Sequence, residues 1–441
     1  MQGTRDLTQG TIRTQLFRLA MPIIATSFIQ MAYSLTDMAW LGRLGSEAVA
    51  AVGGVGMLTW MAGSIALLNK TGSEVSVGQA VGKRDFAQAR HFASHNVTMA
   101  LLISLLCAAV LFLFARPIVG IYRLELSIAD AAVAYLRVVS TALPFVFLSY
   151  AFTGIYNGVG RSSIPFYMNG TGLLTNIILD PLFIFGFGWG TEGAAYATWL
   201  SQAIVFALFI YQLRSRNVVL DRFPFIERLQ RSYAMRIVKI GLPVATFNTM
   251  FSFVNMFLGR TASALGGHIG LMALTTGGQI ESVTWNTSQG FSTALSTFVA
   301  QNYAAGKRLR VTNAYYTTLW ITAIVGGVWT ILFYFYGNEI FSIFVPEPDA
   351  YRVGGDYLRI DAYSQLLMMM EISTQGIFYG LGRTWAPAIV SMTFTYMRIP
   401  LALFLASVGF GVDAIWWAIS ISSITKGVVL TTWFFIVRKR W

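Results

Sequence analysis

The sequence predicts an all-α polytopic membrane protein whose twelve transmembrane helices form two pseudo-symmetric six-helix lobes. Of its 441 residues, 55% are hydrophobic and only 11% are charged, and the mean hydropathy is +0.60. A soluble domain carries about 25% charged residues. Apolar runs long enough to cross a bilayer recur along the whole chain, and a motif of the first half returns in the second. These three observations together favour a duplicated membrane protein.

The apolar runs read as helices because each meets the roughly 17 residues that an α-helix needs to cross the hydrocarbon layer. A lipid-exposed backbone must satisfy its own hydrogen bonds, and the runs lack the short alternating segments of a β-barrel. In order, the predicted helix cores are 16–41, 48–68, 97–115, 131–156, 164–185, 193–213, 237–258, 269–295, 314–335, 357–379, 386–408 and 414–437.

An internal repeat divides the chain into two halves. Residues 154–165 (GIYNGVGRSSIP) return as 376–387 (GIFYGLGRTWAP), with six of twelve positions identical at an offset of 222. This predicts an N-terminal six-helix lobe at 1–225 and a C-terminal six-helix lobe at 226–441. Because six is even, both lobes enter the membrane from the same side, as in transporters with a central substrate path. Alternating access is the mechanism that this arrangement favours.

The net charge of +12 does not predict nucleic-acid binding, because the basic residues gather in alternate loops. A cytoplasmic N-terminus places 21 of the 31 Lys and Arg on the inside, including Arg438, Lys439 and Arg440 at the C-terminus. This is the bias of the positive-inside rule. We therefore predict a multi-pass protein of the inner (plasma) membrane with both termini cytoplasmic and with anionic lipid as a neighbour.

Several classes of chemistry find no support in the sequence. Cys107 is the single cysteine, so no intramolecular disulfide is possible. His91, His95 and His268 lack metal-binding spacing with Cys or acidic partners. A nucleophile elbow and a phosphate-binding loop are also missing, so we expect no enzyme and no cofactor. Without an ATP-binding domain, transport has to draw on an ion gradient unless a partner protein is involved.

Two carboxylates stand inside apolar runs of the first lobe. Asp37 follows Tyr33, and Asp180 follows Asn176, each at the i, i+4 spacing that places two side chains on one helix face. An ionised Asp at the bilayer centre costs about 2.5–3.5 kcal/mol, so both are candidates for cation or proton coupling. The alternatives are that Asp37 caps a helix or pairs with Arg43, and that Asp180 belongs to a helix-breaking Asp-Pro at the membrane edge.

Pro181 lacks a backbone donor and disfavours helical geometry at the preceding residue. We therefore expect the fifth helix to be loosened beside Asp180.

The second lobe offers charged residues at or near membrane depth. Opposite charges there are expected to pair, so the leading interpretation of Glu281, Glu371 and Arg398 is a structural Glu–Arg bridge. A substrate or proton role for either glutamate is the alternative. Lys70 and Lys426 also lie at the membrane or in it. The candidates for lining a substrate cavity are Asn157, Gln279, Glu281, Trp285, Met370, Glu371 and Arg398.

The chain resembles the multidrug and toxic compound extrusion (MATE) family of secondary exporters, and within it the DinF-like and MepA-like branch. The resemblance covers the full length. It rests on Ser34–Asp37 with Leu41–Gly45, on Gly78–Lys83, on Asn176–Gly186, on Gly193–Thr198, and on Gln279–Glu281 with Phe291–Asn302.

Membership of that family implies efflux of amphipathic, often cationic drugs in exchange for H⁺ or Na⁺, by a monomer, from a cavity between the lobes. Thr198 matches a family position, which extends the coupling set to Asp37, Asp180, Asn176, Thr198 and Tyr33, with Na⁺ possible at the first four. In one respect the chain departs from part of the family. The seventh-helix glutamate that binds a cation in one branch falls near Phe251 here, which argues against that second-lobe sodium site.

The competing function is a lipid-linked oligosaccharide flippase on a related duplicated scaffold. Such a flippase should line its cavity with Arg and Lys to hold pyrophosphate. The sequence interpretation gives the first lobe intramembrane acids and no intramembrane base. The sequence therefore favours the drug exporter.

Overall fold

A computed structural model describes residues 4–120, 125–214, 220 and 222–438. Lys439 and Arg440 lie outside this range, as do the first three residues, so the predicted side of the termini stays a prediction. The described chain is helical and contains no strand. Its spanning helices are α1 Ile12–Leu44, α2 Ser46–Gly82, α3 Phe86–Leu113, α4 Leu126–Gly158, α5 Ser163–Pro181 and α6 Gly190–Arg214.

The later helices begin with one continuous helix, Arg231–Ala304, which we label α7 before Gly267 and α8 after it. Gly267 has φ +61° and ψ −151°, which breaks the helical path at that residue. The remaining helices are α9 Arg308–Phe344, α10 Pro348–Gly380, α11 Trp385–Tyr396 with its continuation Arg398–Ser407, and α12 Asp413–Val437. The predicted class of twelve transmembrane helices is confirmed.

Hydropathy alone finds ten candidate spans in the described chain. It counts Arg231–Ala304 once and omits α10, whose 33 residues carry Asp349, Asp356, Asp361 and Glu371 along with two arginines. With these four acids, α10 is the described helix that contains the most acidic residues.

The chain divides into two compact units. The first consists mainly of Met21–Ala245, and the second mainly of Thr246–Val299 and Gly306–Trp441. The first unit packs Phe147, Phe152 and Phe209 into its core, all at most 1% exposed. The core of the second unit contains Phe333 and Trp416. The lobe boundary at residue 225 stays a prediction.

The outer face of α9 shows why these helices need lipid. Its large apolar side chains recur every three or four residues and are each more than half exposed. Exposure of this apolar stripe to water is unfavourable, whereas the hydrocarbon layer of a bilayer accommodates it. The residues are Trp320, Ile324, Val328, Ile331 and Phe335.

The glycines of the repeated motif allow close helix packing. A Cβ at Gly154 of α4 would lie 2.3 Å from the backbone oxygen of Lys70 on α2. Its equivalent, Gly376 of α10, would place a Cβ 2.4 Å from the backbone oxygen of Ser292 on α8. Small residues allow two backbones in a membrane to approach this closely. The same contact is thus built once in each unit.

The motif also ends each helix in the same way. Gly160 and Gly382 have φ values of +80° and +74°, which favour glycine because a Cβ is strained there. Around Gly160, its own N–H donates to Asn157 O at 2.8 Å and the next N–H donates to Tyr156 O at 2.8 Å. The second copy repeats this pattern. Both α4 and α10 therefore finish in a Schellman motif.

We expect Gly376→Leu to destabilise the protein by about 3 kcal/mol or more, because the side chain would overlap the backbone of α8. The matched control is Gly327→Leu on α9, where a Cβ meets nothing within 4 Å. Thermal unfolding of the detergent-purified variants measures the difference. Equal melting temperatures for the two variants would contradict the packing role of the motif.

Candidate functional site

The two first-unit acids meet at one amide. Nδ2 of Asn176 donates to Oδ1 of Asp37 at 2.8 Å and to Oδ2 of Asp180 at 2.5 Å. Oγ1 of Thr198 donates to the other oxygen of Asp37 at 3.5 Å. Helices α1, α5 and α6 therefore converge on one oxygen-rich point. Neither structural alternative accounts for this arrangement, since Asp37 faces two other helices and Asp180 is fully buried.

Two buried oxygens without a hydrogen-bond donor make this point a candidate site for a cation or a proton. Oδ1 of Asn176 and Oδ1 of Asp180 are buried and accept no hydrogen bond from the described residues. A buried oxygen without a donor is unfavourable by about 1–3 kcal/mol. Both carboxyl groups accept from the same amide, which holds them close together. A hard cation or a proton satisfies these atoms.

The fifth helix changes form beside this pair. α5 stays helical through Asp180 and Pro181, and a π-helical turn, Leu182–Gly186, follows at once. The N–H of Phe187 donates to Leu182 O at 2.9 Å, which closes the wider turn. Pro181 lacks the N–H that would continue the α-helical ladder. The expected loosening therefore occurs just after Asp180 rather than at it.

A cavity of about 220 Å³ lies within the first unit. It is lined by five helices, and Tyr33 lines it one turn before Asp37. Most of the lining side chains are polar, and Lys70 is the charged one among them. The interpretation that the first lobe supplies no intramembrane base did not foresee Lys70 in this cavity. The apolar run ends at residue 68, but α2 continues to Gly82, which places Lys70 well inside the helix.

In the second unit, charges pair differently from the expected Glu–Arg bridge. Nζ of Lys426 lies 3.6 Å from Oε2 of Glu371. Oε1 of Glu371 accepts from Gln375 and from Ser391, each at 2.8 Å. Nε of Arg398 donates to Ser422 at 2.7 Å and its Nη2 donates to Ser423 at 3.0 Å. The expectation of a Glu–Arg bridge was thus wrong, because α12 presents Lys426 to Glu371 and serines to Arg398.

Glu281 has a neutral partner. The hydroxyl of Tyr357 donates to its Oε2 at 2.9 Å. One turn further along α10, Asp361 is 2% exposed and accepts from Ser364 and Gln365. The sequence interpretation missed Asp361. The spacing Tyr357-x₃-Asp361 could have indicated this residue, because it repeats the spacing of Tyr33 and Asp37.

The position of Phe251 explains how the second unit departs from a sodium site. The guanidinium of Arg398 lies over the Phe251 ring, 5.8 Å from its centroid. A guanidinium therefore lies beside the position at which the resemblance places the acid of one branch of the family. This contact supports the interpretation that the second unit lacks that type of site.

The other cavity candidates have varied surroundings. Asn157 is 2% exposed, and its Nδ2 donates to Glu74 at 3.3 Å, so it is held within the core of the first unit. Trp285 packs against the buried Met368, Met369 and Ile372. Gln279 is exposed and Met370 is half-buried. Of these four, Asn157 hydrogen-bonds to a charged group, the carboxylate of Glu74.

The histidines of α3 bind the linker that follows α6. Nδ1 of His95 lies 2.7 Å from His91 O, and Nε2 accepts from the N–H of Gln230 at 3.0 Å. Nδ1 of His91 lies 3.0 Å from Glu227. Although His91, His95 and Glu227 are close enough to hold a metal, both ring nitrogens of His95 already have partners. A structural role in holding the linker accounts for the trio.

Comparison with known proteins identifies the family. The family model described as MatE matches residues 22–182 and 243–404, one match in each half of the chain.

The chain belongs to the MATE family.

Relatives in that family carry names of multidrug transporters. The chain is 26% identical over 421 residues to a probable multidrug resistance protein YoeA of Bacillus subtilis (strain 168), covering 91% of this chain and 89% of the relative. It is also 26% identical over 404 residues to a probable multidrug resistance protein NorM of Thermotoga maritima, with coverages of 89% and 85%. These matches support a transporter of small molecules rather than an enzyme, and they do not favour the flippase.

The fold agrees with solved MATE structures. A crystal structure of MATE in complex with MaD3S superposes with a TM-score of 0.93 at 21% identity and covers 99% of both chains. At this identity the likeness concerns the fold. The twelve-helix architecture of two lobes is that of the MATE family, and it places the chain in a membrane.

Substitution of Lys426 or Glu371 tests whether the ion pair between them stabilises the fold of this MATE protein. Lys426→Met leaves a buried carboxylate without its cation, which should destabilise the fold by about 3–5 kcal/mol. Adding Glu371→Gln should restore most of the loss. Arg359→Met is the control, because its pair with Asp356 at 3.3 Å is exposed and contributes about 0–1 kcal/mol. Thermal unfolding gives the comparison. If the Lys426→Met protein is as stable as the unmodified protein but cannot transport, the pair has a role in transport and the structural role is contradicted.

Proposed function

We propose that the chain is a secondary active multidrug efflux transporter that exchanges amphipathic, often cationic drugs for H⁺ or Na⁺. The observation that carries this proposal is the shared contact of Asn176 with Asp37 and Asp180, together with the unsatisfied oxygens beside it. A transporter without an ATP-binding motif needs such a site to couple to an ion gradient. No cofactor is required for this function.

Charge gives the direction of the coupling. When both acids are ionised, the site is negative and attracts a cationic drug. Two carboxylates in a poorly hydrated site resist joint ionisation, so a proton or a shared Na⁺ stabilises them. Loading the site removes negative charge and weakens drug binding. By linkage, drug and coupling ion weaken each other's binding by the same factor, on the order of 5- to 150-fold.

The conformational step follows from the same residues. With Asp37 neutralised, its contacts to Asn176 and Thr198 are free to rearrange, and α5 already has a weakened hydrogen-bond ladder at Pro181. We propose that this change drives alternating access, in which the two lobes at 1–225 and 226–441 act as rigid bodies. The transporter would act as a monomer in the inner (plasma) membrane with both termini cytoplasmic.

The coupling role predicts that Asp37→Asn and Asp180→Asn each lower gradient-driven transport by about tenfold or more, because neither variant can alternate between a charged and a neutral pair. Proteoliposomes loaded with a lipophilic fluorescent cation, under an imposed proton or sodium gradient one at a time, provide the assay. The gradient that drives transport also identifies the coupling ion.

The control for these variants is Asp130→Asn, which removes an acid from an exposed pair with Arg116 at 2.7 Å. It should transport like the unmodified protein. Normal gradient-driven transport by both Asp37→Asn and Asp180→Asn would refute the switch and leave Glu281 or Glu371 as the coupling acid.

Alternating access predicts two exclusive crosslinking patterns. In a Cys107→Ala background, cysteine pairs placed between the lobes near the cytoplasmic mouth should crosslink in one state, and pairs near the outer mouth in the other. Substrate should shift the balance between them. Full crosslinking at both mouths of the same molecules would contradict the rocking of two rigid lobes.

A further inference from the structure

The cavity of the first unit has the chemistry of an anion site. Its volume of about 220 Å³ is smaller than the roughly 300–1,000 Å³ of a site for a whole drug-sized ligand. It therefore suits one end of such a molecule. Its lining includes Gln30, Tyr33, Lys70, Ser149, Tyr150 and Asn169 and contains no carboxylate.

Lys70 enters this cavity without a direct ion pair to a described carboxylate. Among the residues that the structure describes, no carboxylate oxygen forms an ion pair with its Nζ. Glu74, one turn along α2, acts on Lys70 at longer range, and its Oε2 accepts from Asn157 at 3.3 Å. The nearest aromatic contact is the ring of Tyr150, whose centroid lies 5.9 Å from Nζ. An ammonium at this depth is unfavourable unless an anion reaches it.

Neutral donors surround the ammonium. Ser149 is 4% exposed, and its hydroxyl has no hydrogen-bond partner among the described residues. Asn169 donates one amide hydrogen to Pro165 O at 2.7 Å and has a second hydrogen to offer. A carboxylate in a site of low polarity needs several such donors beside its counter-ion. The cavity supplies both the cation and the donors.

We propose that this cavity binds the carboxylate of an aromatic, amphipathic substrate, with Lys70 as its ion-pair partner. The proposal rests on the proposed transport function and defines its substrate class. Tyr33 links the two sites along α1, since it lines the cavity one turn before Asp37. A substrate with both an amine and a carboxylate then meets the acid pair with one end and Lys70 with the other. Purely cationic drugs use the acid pair alone.

A matched pair of probes tests this assignment. A rhodamine free acid and its methyl ester share one cationic ring system and differ only in the carboxylate. Their binding to purified protein is measured by fluorescence anisotropy, and their transport is measured in proteoliposomes of zwitterionic lipid. The unmodified protein should bind the free acid more tightly than the ester.

Lys70→Met should weaken binding of the free acid by about tenfold or more, the value of a charge-assisted hydrogen bond. It should leave binding of the ester within about twofold, since the ester makes no ion pair. Lys70→Arg should retain the preference for the acid. The control is Lys83→Met, which removes an exposed lysine just after the same helix.

Each result has one meaning. If Lys70→Met weakens both probes equally, or if the unmodified protein binds acid and ester alike, Lys70 does not recognise a carboxylate and the proposal is wrong. Transport of the ester with no preference for the acid would overturn this inference while leaving the drug-export function intact. Transport of neither probe, nor of any other lipophilic cation, would count against the export function itself.

Discussion

One side-chain amide connects the two acids on which the proposed ion coupling depends. Asn176 offers two hydrogens, and each reaches a carboxylate on a different segment of chain, Asp37 on α1 and Asp180 on its own helix. An asparagine can bridge two negative groups in this way without adding charge. The bridge keeps the acids close enough to compete for one proton or one cation. In the proposed mechanism, every later step, from ion loading to drug release, depends on that closeness.

The two units solve the problem of buried charge in opposite ways. In the first, two acids share neutral donors, and a lone base lies in a neighbouring cavity. In the second, Glu371 is neutralised by Lys426 and satisfied by two further donors. A satisfied network is stable and rigid, whereas unsatisfied oxygens invite a ligand. This contrast supports coupling in the first unit, although the two halves descend from one repeated design.

Much of this architecture could be predicted from the sequence because it depends on local rules. Hydrophobic runs predicted the helices, and the repeat predicted two equivalent halves. The packing at Gly154 and Gly376 follows that equivalence, since only glycine allows these backbone contacts. The i, i+4 spacing of Asn176 and Asp180 placed both on one face of α5. The contact of that face with Asp37 required the family resemblance, because spacing within one helix says nothing about its neighbour.

Other residues were missed for physical reasons. The apolar run of α2 ends before Lys70, but the helix continues, so hydropathy placed this lysine at the membrane edge when it lies in a cavity. The partner of Glu371 depends on how α12 is rotated against α10, which no local pattern specifies. Asp361 lies within the predicted helix core 357–379 but close to Asp356 and Arg359, and hydropathy alone does not distinguish a buried acid from charged neighbours at a helix end.

The most direct measurement is the number of coupling ions released when a drug binds. In weakly buffered detergent solution, the binding of a lipophilic cation can be followed by fluorescence while released H⁺ or Na⁺ is followed with an electrode. Coupling at the shared acid pair predicts release of about one ion per cation bound by the unmodified protein. It predicts no release by the variant that carries both Asp37→Asn and Asp180→Asn. Tight binding without ion release, or equal release from that double variant, would contradict coupling at the shared acid pair.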